Sequence, residues 1–430
     1  MNFKPLLAAA LAFGLVARLQ AAIIGTNVPA LPLTPERVAS LPAWKTYVEN
    51  SLQQRKADQE FLQAELKAHG LKKTTLPHET HNASGLSLDQ SPEWYGSKEA
   101  QHIADVVVSF QTPAGGWSKN TDYTKNPRAP GEMFGVENGS LHLGTSDFDL
   151  PANPAWSYVG TFDNDATTTE LNYLAKVISA SKSENDTWQK SFARGLDYIY
   201  AAQFPNGGWP QVWPLQGSYH DTITHNDDAM LHVLEFLQNV AAGQNEFAFV
   251  PAAARSQALA SFQRGMDCLL ATQIKVNGRL TVWCQQNDAI TLEPASARNY
   301  EMPSLTSSES ATIVLFLMEQ PHPDSNIVAA VHAACAWFEK NKIMGWEYKS
   351  TGADGKKLVA APGYGPIWAR YYQVGTDKPI FGDRDKTIHD DVNDLSKERR
   401  NGYGWYRDTP KRVLEHYARW AKEHPPTPSH

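Results

Sequence analysis

Three stretches of this chain repeat one another. Residues 100–119 (AQHIADVVVSFQTPAGGWSK), 191–211 (SFARGLDYIYAAQFPNGGWPQ) and 261–283 (SFQRGMDCLLATQIKVNGRLTVW) each carry an apolar helical pattern that runs into a glutamine and a glycine-rich turn. A weaker fourth copy, 330–348, keeps the aromatic end in Trp346. Between successive copies lie 166–181, 228–242 and 307–319, where apolar residues recur at i, i+3, i+4 and i+7, one face of a helix. Helices of two kinds, alternating through glycine turns, predict an all-α fold: helical hairpins repeated around an axis as a toroid. Strands should be few and short, because no segment sustains period-2 alternation between hairpin turns. In a toroid the loops at one end face each other, so side chains remote in sequence converge on one cleft.

The chain has 430 residues, 42% hydrophobic and 20% charged, enough for a large core and unlike a disordered or coiled-coil sequence. A formal net charge of −7 gives no general attraction to nucleic acid or an anionic membrane. Residues 1–22 stand apart: Lys4, a nearly unbroken apolar run over 5–17, then Ala21 and Ala22, the layout of a signal peptide. Cleavage near Ala21 or Ala22 and a secreted or periplasmic location follow, with no membrane attachment afterwards. Arg18 suits that layout less well, and an uncleaved anchor is the other reading, although the run is too short to span a bilayer. Residues 23–98 read as an N-terminal extension, with one or two amphipathic helices over 36–70 and a polar loop over 71–92; residues 99–430 read as the toroid domain. Cys268, Cys284 and Cys335 lack zinc-site spacing and read as buried free thiols, with a Cys268–Cys284 bridge the alternative. Nothing in the sequence calls for more than a monomer.

Polar residues gather where the intervening helices begin: Asp163-Asn164-Asp165 in TFDNDATTTE, Asn226-Asp227-Asp228 in HNDDAM, and PSLTSSES over 303–310. Each resembles a helix N-cap, and Thr167/Glu170 and Thr306/Glu309 have capping-box spacing. A cap needs one side chain, however, and the first two clusters offer six. Carboxylate and amide oxygens from two loops suit a hard divalent cation. A second concentration is cationic: Arg370, Arg384, Arg399, Arg400 and Arg407, interleaved with Tyr371, Tyr372, Phe381, Tyr403, Trp405 and Tyr406. That mixture suits a half-buried groove wall whose guanidinium forks bind an anionic ligand through its carboxylates. The third is the loop WCQQND…EPASARNYEMPSL over 283–305, rich in hydrogen-bonding groups. Trp117, Trp209 and Trp213 read as packing between hairpins, with Trp209 the one best placed to serve also as a sugar platform.

TFDNDATTTEL, QFPNGGWPQVWPL, HNDDAM, the stretch from VWCQQND through EPASARNYEMPSLTSSES, and PIFGDRD…ERRNGYGWY resemble the family 10 polysaccharide lyases, pectate lyases with an (α/α)3-type toroid. The match runs in order over about 99–420. The resemblance implies Ca²⁺-assisted β-elimination of polygalacturonate, with Arg298 of the ASARNYE motif as base. It places Asp163, Asn164 and Asp227 at the metal, Asp228 being a neighbour of the last, and puts Arg370, Arg384 and Arg399 on substrate carboxylates, with Arg400 a rival to Arg399. Asn287 departs from the family pattern, where histidine is expected. An arginine base needs its guanidinium form disfavoured by burial and nearby cations, which implies an alkaline pH optimum. The products would be oligogalacturonides with a 4,5-unsaturated terminal residue.

Other chemistries share parts of this pattern. Q-x-x-x-G-x-W turns occur in terpene cyclases, whose aspartate-rich motif faces an apolar cavity rather than an arginine-rich tail. A toroidal glycoside hydrolase would use Asp163 and Asp227 as its carboxylate pair. A uronate-binding protein would keep the groove and have no use for Arg298.

Overall fold

The computed structural model describes residues 23–78, 86–135, 146–150, 159–181 and 186–426; the expected signal segment lies outside them. Eleven α-helices are found among the described residues: α1 (Pro42–Ala68), α2 (Pro92–Tyr95), α3 (Lys98–Ser109), α4 (Thr168–Ala180), α5 (Asp186–Ala202), α6 (Ala229–Ala242), α7 (Ala252–Ala271), α8 (Ser308–Met318), α9 (Ser325–Lys340), α10 (Lys397–Asn401) and α11 (Thr409–Glu423). The intervening helices expected from periodicity appear as α4, α6 and α8, within two residues of the expected bounds. They bury most of their surface, as Met230, Leu231, Val233, Leu234, Phe236, Leu237 and Val240 of α6 illustrate. Helices α3, α5, α7 and α9 are the repeated copies and keep a solvated face. Successive helices pack side by side, α3 on α4, α4 on α5, α6 on α7 and α8 on α9, and α11 closes against α8 and α9.

The repeat exists because each of its letters makes a bond. The indole N–H groups of Trp117, Trp209 and Trp283 donate to the carbonyls of Val107, Ile199 and Leu269, pinning each turn to the helix before it. The amides of Gln111, Gln203 and Gln273 donate both to their own turn and to the next outer helix, at Ser191, Ser261 and Ala330. Such buried amides are costly unless paired, so the pattern fixes hairpin to hairpin. The glycines make room for this contact. Gly115 and Gly207 have φ of 105° and 96°, and a Cβ on either would lie 2.5 or 2.1 Å from the carbonyl of Arg194 or Arg264.

The fourth copy corrects the sequence reading. Its tryptophan is Trp368, fully buried and bonded to Phe338, whereas Trp346 is 43% exposed. Trp346 belongs to a two-stranded hairpin, Trp346–Ser350 with Lys356–Ala360, inserted before Trp368. Period-2 pairing over five residues therefore does occur; none of these residues is fully buried, so no core-facing side imposes an apolar alternation. The thirteen strands among the described residues are short, ten of them of two or three residues. Neither capping box closes, although the Glu170 carboxylate does accept from the Thr167 backbone N–H. Thr167 and Thr306 direct their hydroxyls to the Trp117 and Trp283 backbones, and Glu309 turns to Arg370. All three cysteines are free and buried.

Residues 23–78 are bound tightly to the rest. Ile23–Thr26 adds a strand to Thr387–His389, Tyr47 donates to the Ala202 carbonyl, and Glu65 pairs with Arg128.

Candidate active site

The acidic end is built from two copies of one turn. Thr161 and Thr224 donate their N–H groups to the carbonyls of Trp117 and Trp209, so the repeat itself sets where each turn begins. Asp163–Asp165 and Asn226–Asp228 then form 3₁₀ turns that pack against each other. Asn164 and Asp227 both have φ of 49°, followed by Asp165 and Asp228 at 61° and 57°. Left-handed backbone at four non-glycine residues is rare and costs energy, which Asn and Asp tolerate best. This distortion turns Asn164 and Asp227 outward into one cavity of about 710 Å³, lined also by Lys119, Asp165, Glu170 and Asp89. The third copy runs straight from Thr306 into α8 and has no such turn.

Charge is unevenly settled there. Asp163 is buried and ion-paired to Lys119; burial works to raise its pKa, but Lys119 and the nearby Arg298 hold it below the ordinary range. Asp227 is open to the cavity yet enclosed by protein behind, and that enclosure together with the charge of Asp163 pushes its pKa up to about 6. Two carboxylates in mutual repulsion beside a side-chain amide are a donor set that a hard cation relieves. Asp228 is placed differently: it accepts from Thr312 at 2.5 Å and lines a smaller cavity with His232 and Glu235. Among the described residues no three His, Cys, Asp or Glu side chains converge as a closed metal site. Asp163, Asn164 and Asp227 could therefore supply only part of a coordination shell.

The basic end is organised by two rings. Tyr300 and Tyr403 meet edge to face at 5.2 Å. Around them stand Arg298 (5.2 Å from the Tyr300 ring), Arg384 (5.4 Å), Arg399 (4.2 Å) and Arg370 (4.7 Å from the Tyr403 ring). Aromatic faces hold guanidinium groups close together despite their repulsion. Each arginine also has a carboxylate. Glu301, 1% exposed at its side chain, accepts from Nε and Nη2 of Arg298 at 2.8 and 2.6 Å and from the Tyr403 hydroxyl at 2.6 Å. Arg370 is held by Glu309 and donates to Asn226 at 3.0 Å, which joins the basic cluster to the acidic turn. Arg384 pairs with Glu398.

Of the arginines expected to act, Arg298, Arg370, Arg384 and Arg399 come together and Arg400 does not. The Arg400 guanidinium is spent on the carbonyls of Leu395 and Lys356. Arg399 is buried beneath Tyr300, and Arg384 is the most open of the four. Arg298 is 35% exposed at its side chain. Burial acts to lower its pKa, but Glu301 outweighs burial and holds it well above the usual arginine value. Asn287 sits in a buried strand pair, its amide donating to Leu292. Trp209 is buried and packs; it offers no sugar platform. Sequence reasoning missed Lys119, Glu301 and Tyr300 as working parts and had Tyr403 only as one of the groove-wall aromatics. The first copy ends on Lys119, and Glu301 lies three residues past Arg298; those were the available signals.

A model of the pectic acid lyase family matches residues 111–414. Two solved structures are similar. One, a family 10 polysaccharide lyase from Cellvibrio cellulosa, is 31% identical with a TM-score of 0.63 over 77% of this chain and 95% of that one. The other is a mutant of that lyase in complex with trigalacturonic acid, 32% identical with a TM-score of 0.63 over 78% of this chain and 98% of that one. No curated protein matches the chain.

Proposed function

As the chain belongs to the pectic acid lyase family, with family 10 polysaccharide lyases as its structural relatives, we propose that it cleaves polygalacturonate by Ca²⁺-assisted β-elimination on an (α/α)3-type toroid. The observation that carries this reading is the cluster of Arg298, Arg370, Arg384 and Arg399 around two tyrosines, tied through Asn226 to the Asp163/Asp227 turns. A uronate chain carries one carboxylate per residue, and guanidinium forks gathered on one wall suit such a ligand.

In the proposed reaction Arg298 takes the proton at C5, the C5–H electrons form the C4–C5 double bond, and the C4–O bond breaks as the leaving oxygen takes a proton from solvent water, to which Arg298 later returns its own. Removing a proton beside a carboxylate places a second negative charge next to the first. Arg370, Arg384 and Arg399 offset that charge as it develops. A calcium ion held by Asp163, Asn164 and Asp227 would neutralise the substrate carboxylate. Glu301 orients Arg298 by two bonds and leaves Nη1 without a partner among the described residues, so that atom is assigned to the proton. The ion pair favours the charged guanidinium, and the surrounding cations together with alkaline pH supply the neutral fraction.

Residues 1–22 are proposed as a secretion signal, 23–98 as an extension that completes the 99–430 catalytic unit, and the protein as a monomer outside the cytoplasm. The test of the reaction is digestion of polygalacturonate in heavy-oxygen water. Elimination leaves the isotope out of the new chain ends and yields unsaturated products; a carboxylate-pair hydrolase would incorporate it.

A further inference from the structure

We propose that Asn27 is a positioning residue for Arg298, so that the N-terminal strand completes the active site. The proposal rests on the assignment of Arg298 as the group that takes the proton. Asn27 is 4% exposed and lies outside the 111–414 family match. Its Nδ2 donates to three carbonyls of a single loop: Arg298 at 3.2 Å, Asn299 at 3.0 Å and Glu301 at 3.2 Å. Its Oδ1 accepts from the Ser296 hydroxyl at 2.9 Å, and that hydroxyl also reaches the Val28 carbonyl at 2.5 Å. Its backbone N–H donates to Lys386, two residues past Arg384, at 2.7 Å.

One side chain thus spans the tight turn that presents Arg298, whose own bonds run from Glu301 N–H to the Arg298 carbonyl (2.8 Å) and from Ala297 N–H to the Glu301 carbonyl (3.0 Å). The same residue's backbone fastens the Arg384 loop. From the other side, Asn299 donates to the Arg384 carbonyl at 2.8 Å, and Gly382 packs so closely on Tyr300 that a Cβ there would lie 2.4 Å from its carbonyl. The strand Ile23–Thr26, paired with Thr387–His389, fixes where Asn27 begins. Removing the Asn27 side chain takes one donor from each of the three carbonyls, leaving those of Arg298 and Glu301 only the turn's own bonds, and frees the loop to move by fractions of an ångström. A displacement of about 1 Å at a reacting group is worth about a hundredfold in rate.

The experiment compares full-length wild-type protein with Asn27→Ala. Expected are a kcat on polygalacturonate lower by about ten- to a hundredfold, a KM within about twofold, and faster backbone amide exchange at Ala297 and Glu301. In an Arg298→Lys background the same change should cost little more, since both act through one group. Ser296→Ala, which removes the bridge without touching the strand, should show a weaker form of the same pattern and serves if Asn27→Ala folds poorly. Unchanged kcat with unchanged exchange would overturn the proposal, as would an equal loss in both backgrounds. If the wild-type protein shows no elimination, the proposed reaction falls, and amide exchange alone still decides whether Asn27 holds the loop.

Discussion

Glu301 grips Arg298 through Nε and Nη2 while its own carboxylate accepts from Tyr403, so the guanidinium proposed to take a proton is fixed in position by the group that most raises its pKa. Orientation and deprotonation pull in opposite directions here. Glu301→Gln should keep one bond to Arg298 and lose the charge, which lowers the Arg298 pKa. The rising limb of the kcat profile should then shift to lower pH while the maximum rate falls through poorer alignment. An unshifted limb would place the titrating group elsewhere.

The same pair makes stability depend on pH. Burial alone would raise the Glu301 carboxyl, but Arg298 and Tyr403 hold it down to about 2, below its ordinary 4.5. A depressed carboxylate contributes stability that is complete above its unfolded pKa and is lost as pH falls through the folded one. Melting temperature should therefore drop between about pH 4.5 and 2 more steeply in the wild type than in Glu301→Gln. Parallel slopes would count against this ion pair as a source of acid lability.

Asp163→Ala and Asp227→Ala should each raise the calcium concentration needed for half-maximal activity by at least about tenfold, and Asp228→Ala should change it little. The contrast follows from cavity placement, since Asn164 and Asp227 line the large cavity and Asp228 the smaller one. Equal effects of Asp227 and Asp228 would contradict it.

Gln203→Ala tests the repeat apart from the chemistry. It removes two buried hydrogen bonds from Nε2 and strands the Ser261 hydroxyl, so unfolding free energy should fall by about 2–4 kcal/mol with kcat unchanged. A stability loss well under 1 kcal/mol, roughly the value of a single such bond, would mean that the glutamine merely fills space.

The repeat was readable because Trp, Gln and Gly each make a short-range bond whose partners recur at nearly fixed spacing; Trp117 and Trp209 both reach back ten residues. Trp368 escaped because an inserted hairpin stretches that reach to thirty. The acidic turns stood out by their excess of side-chain oxygens, but nothing in Asp227-Asp228 tells which faces the large cavity; the left-handed backbone decides that. Arg399 and Arg400 are adjacent on α10 and so point apart, a choice composition does not contain. Asn27 was invisible, because the three carbonyls it bonds lie more than 270 residues away and it sits in no motif.

The most direct test of the central claim is ultraviolet absorbance by conjugated, unsaturated uronide as wild-type protein and Arg298→Ala act on polygalacturonate at alkaline pH, with Ca²⁺ and then with EGTA. The wild type should give a rise that EGTA abolishes, and Arg298→Ala a rate at least about a thousandfold lower with trigalacturonate binding within a small factor of normal. A full-rate Arg298→Ala protein, or new reducing ends without absorbance, would contradict that claim.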